Sequence, residues 1–318
     1  MKAVFLDSET VGEDVSLDAV RDAVDTLHCH RRTGAAQTLA HMRGHEVVIS
    51  NKVVIQRQHL QALEQPPGLI CVAATGTNNV ELEACAEAGV KVCNARAYGT
   101  DAVAQHALGL MLALSIGLLD YSAAVARGDW QRATQFCLLD YPVRELSGLT
   151  LGIVGYGTLG KRVAQLAEAF GMRVLVAQRP GTSSPVPGRV PLAELLPRVD
   201  VLSLHCPLTE ATRGLIGADE LAVMKPDAIL INTARGGLVD EQALADVLRA
   251  GRLGGAGFDV LTEEPPRNGN VLLEAGIPNL IVTPHTAWAS REARQRICDQ
   301  VAENIRAWRG GQPIRTLI

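Results

Sequence analysis

Several common signals are missing from this chain, and each absence removes a class of protein. There are seven cysteines among 318 residues, an odd number with no Cys-x-x-Cys pair and no zinc-type spacing. This argues against a disulfide framework and a structural zinc, and no metal site is expected. Most of the cysteines sit inside apolar runs and read as small core residues in a reducing compartment, which points to the cytoplasm. The most apolar stretch, 107–119, covers 13 residues, whereas a membrane-spanning helix needs about 20. It reads instead as a helix buried on most faces by a domain or subunit interface, and no membrane role is expected. The opening Met1-Lys2-Ala3-Val4-Phe5-Leu6-Asp7 reads as a short strand meeting an early acid, not as a signal peptide. There is no basic block, the net charge is −4 and the pI is near 6.1, so nucleic acid is a poor partner. An anionic substrate therefore needs a local cationic site, because the global field will not steer it. Internal repeats and low-complexity tracts are also absent.

What is present is a globular chain. Hydrophobic residues make up 47% and charged residues 20%, enough for each of two domains to bury a core. Apolar runs at 150–154, 173–177, 199–204, 228–232, 254–259 and 280–282 alternate with helical patterns such as 161–170 and 241–250. Strands alternating with helices predict βαβ units and a parallel sheet. The first hundred residues repeat this less regularly, with strands at 2–6, 46–49, 69–73 and 90–93 and helices at 59–64 and 80–88. The segment 8–44 does not resolve into elements. Residues 181–187 read as a surface loop. Two long helices are left over, 101–125 and 290–308. The carboxyl terminus is too short for a domain of its own, so the last helix is expected to pack back on the first domain. The chain then crosses between domains twice, and a cleft between them is a natural ligand site.

The segment Gly155-Tyr156-Gly157-Thr158-Leu159-Gly160 fits GxGxxG. Alone the pattern is weak; here it follows a strand and opens a helix, the context that gives it meaning. Gly155 allows the tight turn, Gly157 the approach of a pyrophosphate, and Gly160 the close packing of helix on strand. The helix start, at Thr158 and Leu159, offers N–H donors and partial positive charge to phosphates. An NAD site places an acid about 20 residues further on to hold the ribose 2′-hydroxyl. Gln178 stands there, 18 residues after Gly160, and carries no charge to repel a 2′-phosphate. Arg179 beside it is suited to attract one. The cofactor is read as NAD or NADP, with the 2′-phosphate tolerated.

Three later strands end in isolated polar residues: Asn232-Thr233-Ala234-Arg235, Asp259 through Glu263-Glu264-Pro265, and Thr283-Pro284-His285. In a doubly wound sheet the carboxyl ends of the strands form the binding crevice. Reduction of a keto acid needs a proton donor at the carbonyl oxygen, and His is suited to that near neutral pH. A carboxylate favours and orients the protonated His, and a guanidinium can hold the substrate carboxylate. His285, Glu264 and Arg235 fill these roles. Each alone has a plainer explanation, a structural His, a loop Glu and a turn-capping Arg; the need of a dinucleotide site for an acid–base partner favours the catalytic set.

These stretches, with His205-Cys206-Pro207-Leu208-Thr209 and Ala74-Thr75-Gly76-Thr77-Asn78-Asn79, resemble the D-isomer-specific 2-hydroxyacid dehydrogenases over nearly the whole chain. His285 to Ser290 and the Ala74–Asn79 loop are most similar to the glycerate dehydrogenase and hydroxypyruvate reductase branch. The resemblance implies an α/β fold of two Rossmann-like domains with parallel sheets. A flavodoxin-like substrate domain would comprise 1–98 and 288–318, and a dinucleotide-binding domain 99–287. It implies hydride transfer between NAD(P)H and a small 2-keto or 2-hydroxy acid of D configuration, hydroxypyruvate/glycerate or glyoxylate/glycolate. His285 would be the acid–base group, Glu264 its partner and Arg235 a substrate ligand. Thr75 and Gly76 would offer N–H groups to the substrate carboxylate. Cys206, Pro207, Thr233 and Ala234 would line the cofactor, and Asp259 would meet the nicotinamide carboxamide. A homodimer built around the cofactor domain is implied as well.

Two positions depart from the common pattern: Gln178 replaces the usual acid, and Gln105-His106 stands where many members have Glu-His. His205 reads as structural support, and Trp288 as a pocket or hinge residue. Formate dehydrogenases of the superfamily carry Gln where Glu264 stands, which argues against that activity. Phosphite dehydrogenases keep a similar trio and stay as an alternative. So does a cofactor-sensing corepressor-like binding protein, although no basic tail supports it and fold alone does not decide function.

Overall fold

The computed structural model describes every residue except Pro180, Ser183 and Pro185. Part of the loop expected at 181–187 therefore lies outside the described residues. The strands are β1 (Lys2–Phe5), β2 (Thr26–Cys29), β3 (Val47–Ser50), β4 (Leu69–Val72), β5 (Lys91–Asn94), β6 (Thr150–Val154), β7 (Arg173–Val176), β8 (Val201–Leu204), β9 (Ile229–Asn232), β10 (Gly255–Phe258) and β11 (Leu280–Val282). The helices are α1 (Asp18–Arg21), α2 (Thr38–Met42), α3 (Arg57–Gln61), α4 (Leu82–Glu87), α5 (Thr100–Ser115), α6 (Leu118–Ala126), α7 (Thr158–Ala169), α8 (Leu192–Leu195), α9 (Ala218–Val223), α10 (Glu241–Arg249) and α11 (Arg291–Arg309).

The first unit comprises Met1–Gly99 and Ala289–Ile318. Its parallel sheet runs β2-β1-β3-β4-β5, the flavodoxin-like order. Val4, Val48, Ile70 and Val92 on neighbouring strands pack with Leu60 and Cys85 in its core. The last helix belongs to this unit. Ser290 caps α11 by accepting from Ala293 N at 3.1 Å, and Ala293, Ile297, Val301 and Ile305 form its buried stripe over β4 and α1. Asn304 adds a side-chain donor to Asn94 O at 3.1 Å.

The second unit, Thr100–Trp288, holds a six-stranded parallel sheet ordered β11-β10-β9-β8-β6-β7. β6 has β7 on one side and β8 on the other, so the winding reverses between β6 and β8. That reversal is where doubly wound sheets bind ligands, beyond the carboxyl ends of the strands. α5 lies close on β10 because two strand positions lack a side chain. A Cβ at Gly257 would sit 2.9 Å from Leu110 Cβ, and one at Gly255 would sit 3.1 Å from Leu114 Cδ2.

One expectation needs correction, and one unplaced segment is filled. The single helix expected over 101–125 is two, α5 and α6, bent by 60°. Gly117 between them takes φ +58°, a left-handed conformation that glycine adopts without the Cβ penalty and that ends a helix. No single helix among the described residues is long and apolar enough to cross a membrane. Within this chain most of 107–115 is buried or half-buried, while Leu118 and Leu119 are exposed. The unplaced segment 8–44 contains β2, α1 and α2. β2 escapes hydrophobic patterning because it is an edge strand, Thr-Leu-His-Cys, with mostly exposed side chains. Cys29, at its end, is exposed and Cys137 half-buried, while the other five cysteines are buried.

Candidate active site

The glycine loop occupies the switch point. Gly155 takes φ +93° directly after β6, and a Cβ there would lie 2.5 Å from both Cys206 N and His205 C at the end of β8. Only a glycine lets the two strand ends meet this closely. Gly160 is pressed against Gly155 O, where a Cβ would come within 2.1 Å, so the first turn of α7 abuts the strand. At Gly157 a Cβ would meet nothing within 4 Å, leaving room for a ligand to approach the backbone. Gly157 is also the N-cap of α7, with no side chain capping the helix. The N–H groups of Thr158, Leu159 and Gly160 are first-turn donors without helical acceptors. Nearby, the Thr233 hydroxyl is buried without a hydrogen-bond partner, and a buried orphan of this kind calls for a ligand group or water. These features fit a dinucleotide.

Beyond β8, His205 Nε2 sits 2.9 Å from Ser203 Oγ, while Nδ1 is buried and unpartnered. Burial pushes its pKa down to about 4, so the ring is neutral at pH 7. Burial likewise raises the Cys206 thiol, and Pro207 O accepts from Thr212 Oγ1 at 2.7 Å, pinning the loop.

His285 and Glu264 are brought together. His285 Nδ1 is 2.6 Å from Glu264 Oε2, and the two side chains are about equally half-buried. Glu264 Oε1 accepts from Leu261 N at 2.9 Å, which fixes the carboxylate's direction. Burial alone would raise the Glu264 pKa. The hydrogen bonds from His285 and Leu261 and the charges of His285 and Arg235 outweigh it and hold the carboxyl below its ordinary value. His285 has φ +55°, a left-handed conformation that costs a residue with a Cβ about 1–2 kcal/mol. Something must hold it there, and Asp259 does. That carboxylate, 1% exposed, accepts from Thr286 N at 2.9 Å and Ala287 N at 2.8 Å. It also accepts from Thr283 Oγ1 at 2.5 Å. Asp259 is thus engaged with its own chain. Sequence reasoning missed this clamp and the Thr283–His106 contact behind it; the only signal was a motif position with no assigned task.

Arg235 follows β9 on a loop shaped by Asn232, whose side chain donates to Arg235 O at 2.8 Å and accepts from Ala234 N at 3.1 Å. The exposed guanidinium donates to Ala234 O at 2.6 Å. Its charge reaches Glu264, but no ion pair joins the two among the described residues. In the first unit, Thr75 and Gly76 lie on the exposed loop after β4. The Thr75 hydroxyl donates to Ala95 O at 2.9 Å, and neither residue's backbone N–H is engaged among the described residues. After β7, Gln178 Nε2 donates to Thr182 O at 2.8 Å and Ser184 O at 3.1 Å; Arg179 is exposed. No cluster of metal-ligating residues occurs among the described residues.

The arrangement matches known proteins. Residues 108–287 match the model of the D-isomer specific 2-hydroxyacid dehydrogenase NAD-binding domain. The chain is 46% identical to the glycerate dehydrogenase of Methylorubrum extorquens, covering 98% of this chain and 97% of that protein. It is 34% identical to a hydroxypyruvate reductase of Blautia hydrogenotrophica, covering 90% and 88%. Among solved structures, the TT0316 protein from Thermus thermophilus superposes with a TM-score of 0.86 at 33% identity, covering all of both chains. A switch-point glycine cradle in one sheet with a His–carboxylate pair, matched over this length, places the chain in the D-isomer-specific 2-hydroxyacid dehydrogenase family, as an oxidoreductase with a nicotinamide dinucleotide cofactor.

Proposed function

We propose that the enzyme interconverts hydroxypyruvate and D-glycerate, or glyoxylate and glycolate, with His285 as the acid–base group. The observation that carries this reading is the 2.6 Å contact between His285 Nδ1 and Glu264 Oε2, which leaves Nε2 to address a substrate oxygen. The Glu264 carboxylate, fixed by Leu261 N, orients the ring. In reduction, Nε2 gives its proton to the carbonyl oxygen; in oxidation it takes the proton back. The nicotinamide cofactor, when bound, supplies or receives the hydride. Arg235 swings from Ala234 O to the substrate carboxylate, where a guanidinium gives paired donors. The N–H groups of Thr75 and Gly76 serve the same carboxylate. The names of the two relatives above support the choice of acid.

Cofactor choice is proposed to rest on Gln178 and Arg179. Both amide hydrogens of Gln178 are taken by loop carbonyls, so it neither repels nor binds a 2′-phosphate, and Arg179 attracts one. NADP is accepted beside NAD. Unpaired cysteines suit the cytoplasm. The apolar surface on α6 and the chain after it is proposed as the seam of a homodimer.

The test is a matrix of NADH and NADPH against hydroxypyruvate, glyoxylate, pyruvate and 2-ketogluconate, with NAD+ and NADP+ against phosphite in the oxidative direction. Turnover is expected to be highest with hydroxypyruvate or glyoxylate. Equal or better turnover with another donor would overturn the substrate choice. His285→Ala should lose nearly all activity, and Gln178→Asp should shift preference toward NADH.

A further inference from the structure

His106 on α5 has no task in the chemistry above, yet it stands at the end of a chain of hydrogen bonds that leads to His285. His106 Nε2 is 2.9 Å from Thr283 Oγ1, and Thr283 Oγ1 is 2.5 Å from Asp259 Oδ1. The hydroxyl has one proton to give. The ionised carboxylate can only accept, so the Thr283 proton goes to Asp259 and the Thr283 oxygen accepts from His106. His106 must then carry its hydrogen on Nε2, which also lies 3.6 Å from Asp259 Oδ1.

The Thr283 hydroxyl has a second acceptor within reach, Phe258 O at 3.4 Å. With His106 donating into one of its lone pairs, the rotor is held toward Asp259. Without that donor the hydroxyl is able to turn to the carbonyl. Asp259 is the group that matters here. It takes the two N–H groups immediately after His285, from Thr286 and Ala287, and so clamps the turn in which His285 has φ +55°.

We propose that His106 is a positioning residue. Through Thr283 it sets the orientation of the Asp259 carboxylate, and through that clamp the aim of the His285 ring at Glu264 and substrate. The proposal rests on the reading of His285 as the acid–base group. The plainer account is that the chain merely ties α5 to the strand ends. That account predicts a lower melting temperature for variants and an unchanged turnover number.

Four single variants and one double variant of the full chain separate the two. His106→Leu and the near-isosteric Thr283→Val each break one link and should lower kcat roughly tenfold to a hundredfold, the scale of a small misplacement of a reacting group. The KM of the preferred cofactor should stay within about twofold, since the glycine cradle is untouched. His106→Gln keeps an N–H near the same place and should recover most of kcat. The double variant His106→Leu/Thr283→Val should be no worse than the poorer single variant, because both act through one chain. A wild-type kcat in His106→Leu, losses that multiply in the double variant, or a Gln variant as poor as Leu would each overturn the proposal. His285→Ala is the control: if it keeps its activity, the acid–base reading itself is wrong, whatever the His106 variants do.

Discussion

His285 Nδ1 and Glu264 Oε2 stand 2.6 Å apart beyond two neighbouring strands, β11 and β10. Glu264 is held below its ordinary pKa despite burial, by the hydrogen bonds from His285 and Leu261. A carboxyl depressed on folding adds stability above its unfolded value, and this is lost as pH falls through the folded one. Acid should therefore weaken the pair only below about pH 4.5. Glu264→Gln removes the charged acceptor that aims the His285 ring, and kcat should fall by about tenfold or more. A kcat unchanged by this substitution would refute the pairing.

His205 should behave differently. Its ring is neutral at pH 7, with a pKa pushed down to about 4 by burial. A buried base that the unfolded chain protonates more readily loses stability as pH falls from about 6.5 toward 4, on the order of 3 kcal/mol in total. In His205→Gln, denaturant unfolding at pH 7 and pH 5 should show a much smaller loss between the two, and the variant should keep most of its activity. A large loss of kcat with intact cofactor binding would make His205 part of the chemistry.

The glycine loop offers a contrast between two alanines. Gly157→Ala meets no atom within 4 Å, so its stability should stay within about 0.5 kcal/mol. The added methyl enters the space left for the pyrophosphate, and cofactor affinity measured by fluorescence titration should drop at least about tenfold. Gly155→Ala puts a Cβ against the β8 backbone at φ +93° and should fold poorly. Full cofactor affinity in Gly157→Ala would count against this loop as the binding cradle.

The surface around α6 carries the fourth prediction. Leu118, Leu119, Trp130, Phe136, Leu139 and Val143 are all at least half exposed, Phe136 to 89% and Leu139 to 79%. The homodimer proposed above would cover these side chains. Sedimentation should show a dimer, and Phe136→Asp with Leu139→Asp should shift it toward monomer. A wild-type monomer at micromolar concentration would remove the proposal.

Most of the second unit was legible because its four inner strands are buried and read as continuous apolar runs flanked by helical periods. The edge strand β2 was not, since exposure gives it a mixed composition. The break at Gly117 was hidden for the opposite reason: the residues on both sides are apolar, and a glycine inside such a run does not declare its φ. At the site, Gly155, Gly157, Gly160, His285 and Glu264 carry local signatures that a motif can hold. The Asp259 clamp does not, because it joins residues 27 and 28 positions apart through backbone groups of no particular identity. The Gln178 contacts with Thr182 and Ser184 were equally invisible, because they depend on where a loop turns back.

Those two contacts bear on how cofactor preference can be redesigned. Gln178 is the tether of the loop as well as the residue at the ribose position. Replacing it with an acid installs a ribose acceptor and, in the same stroke, removes two donors from the loop's carbonyls. A library that varies position 178 alone would confound recognition with loop folding. Covarying 178 with 182 and 184 would let selection separate them.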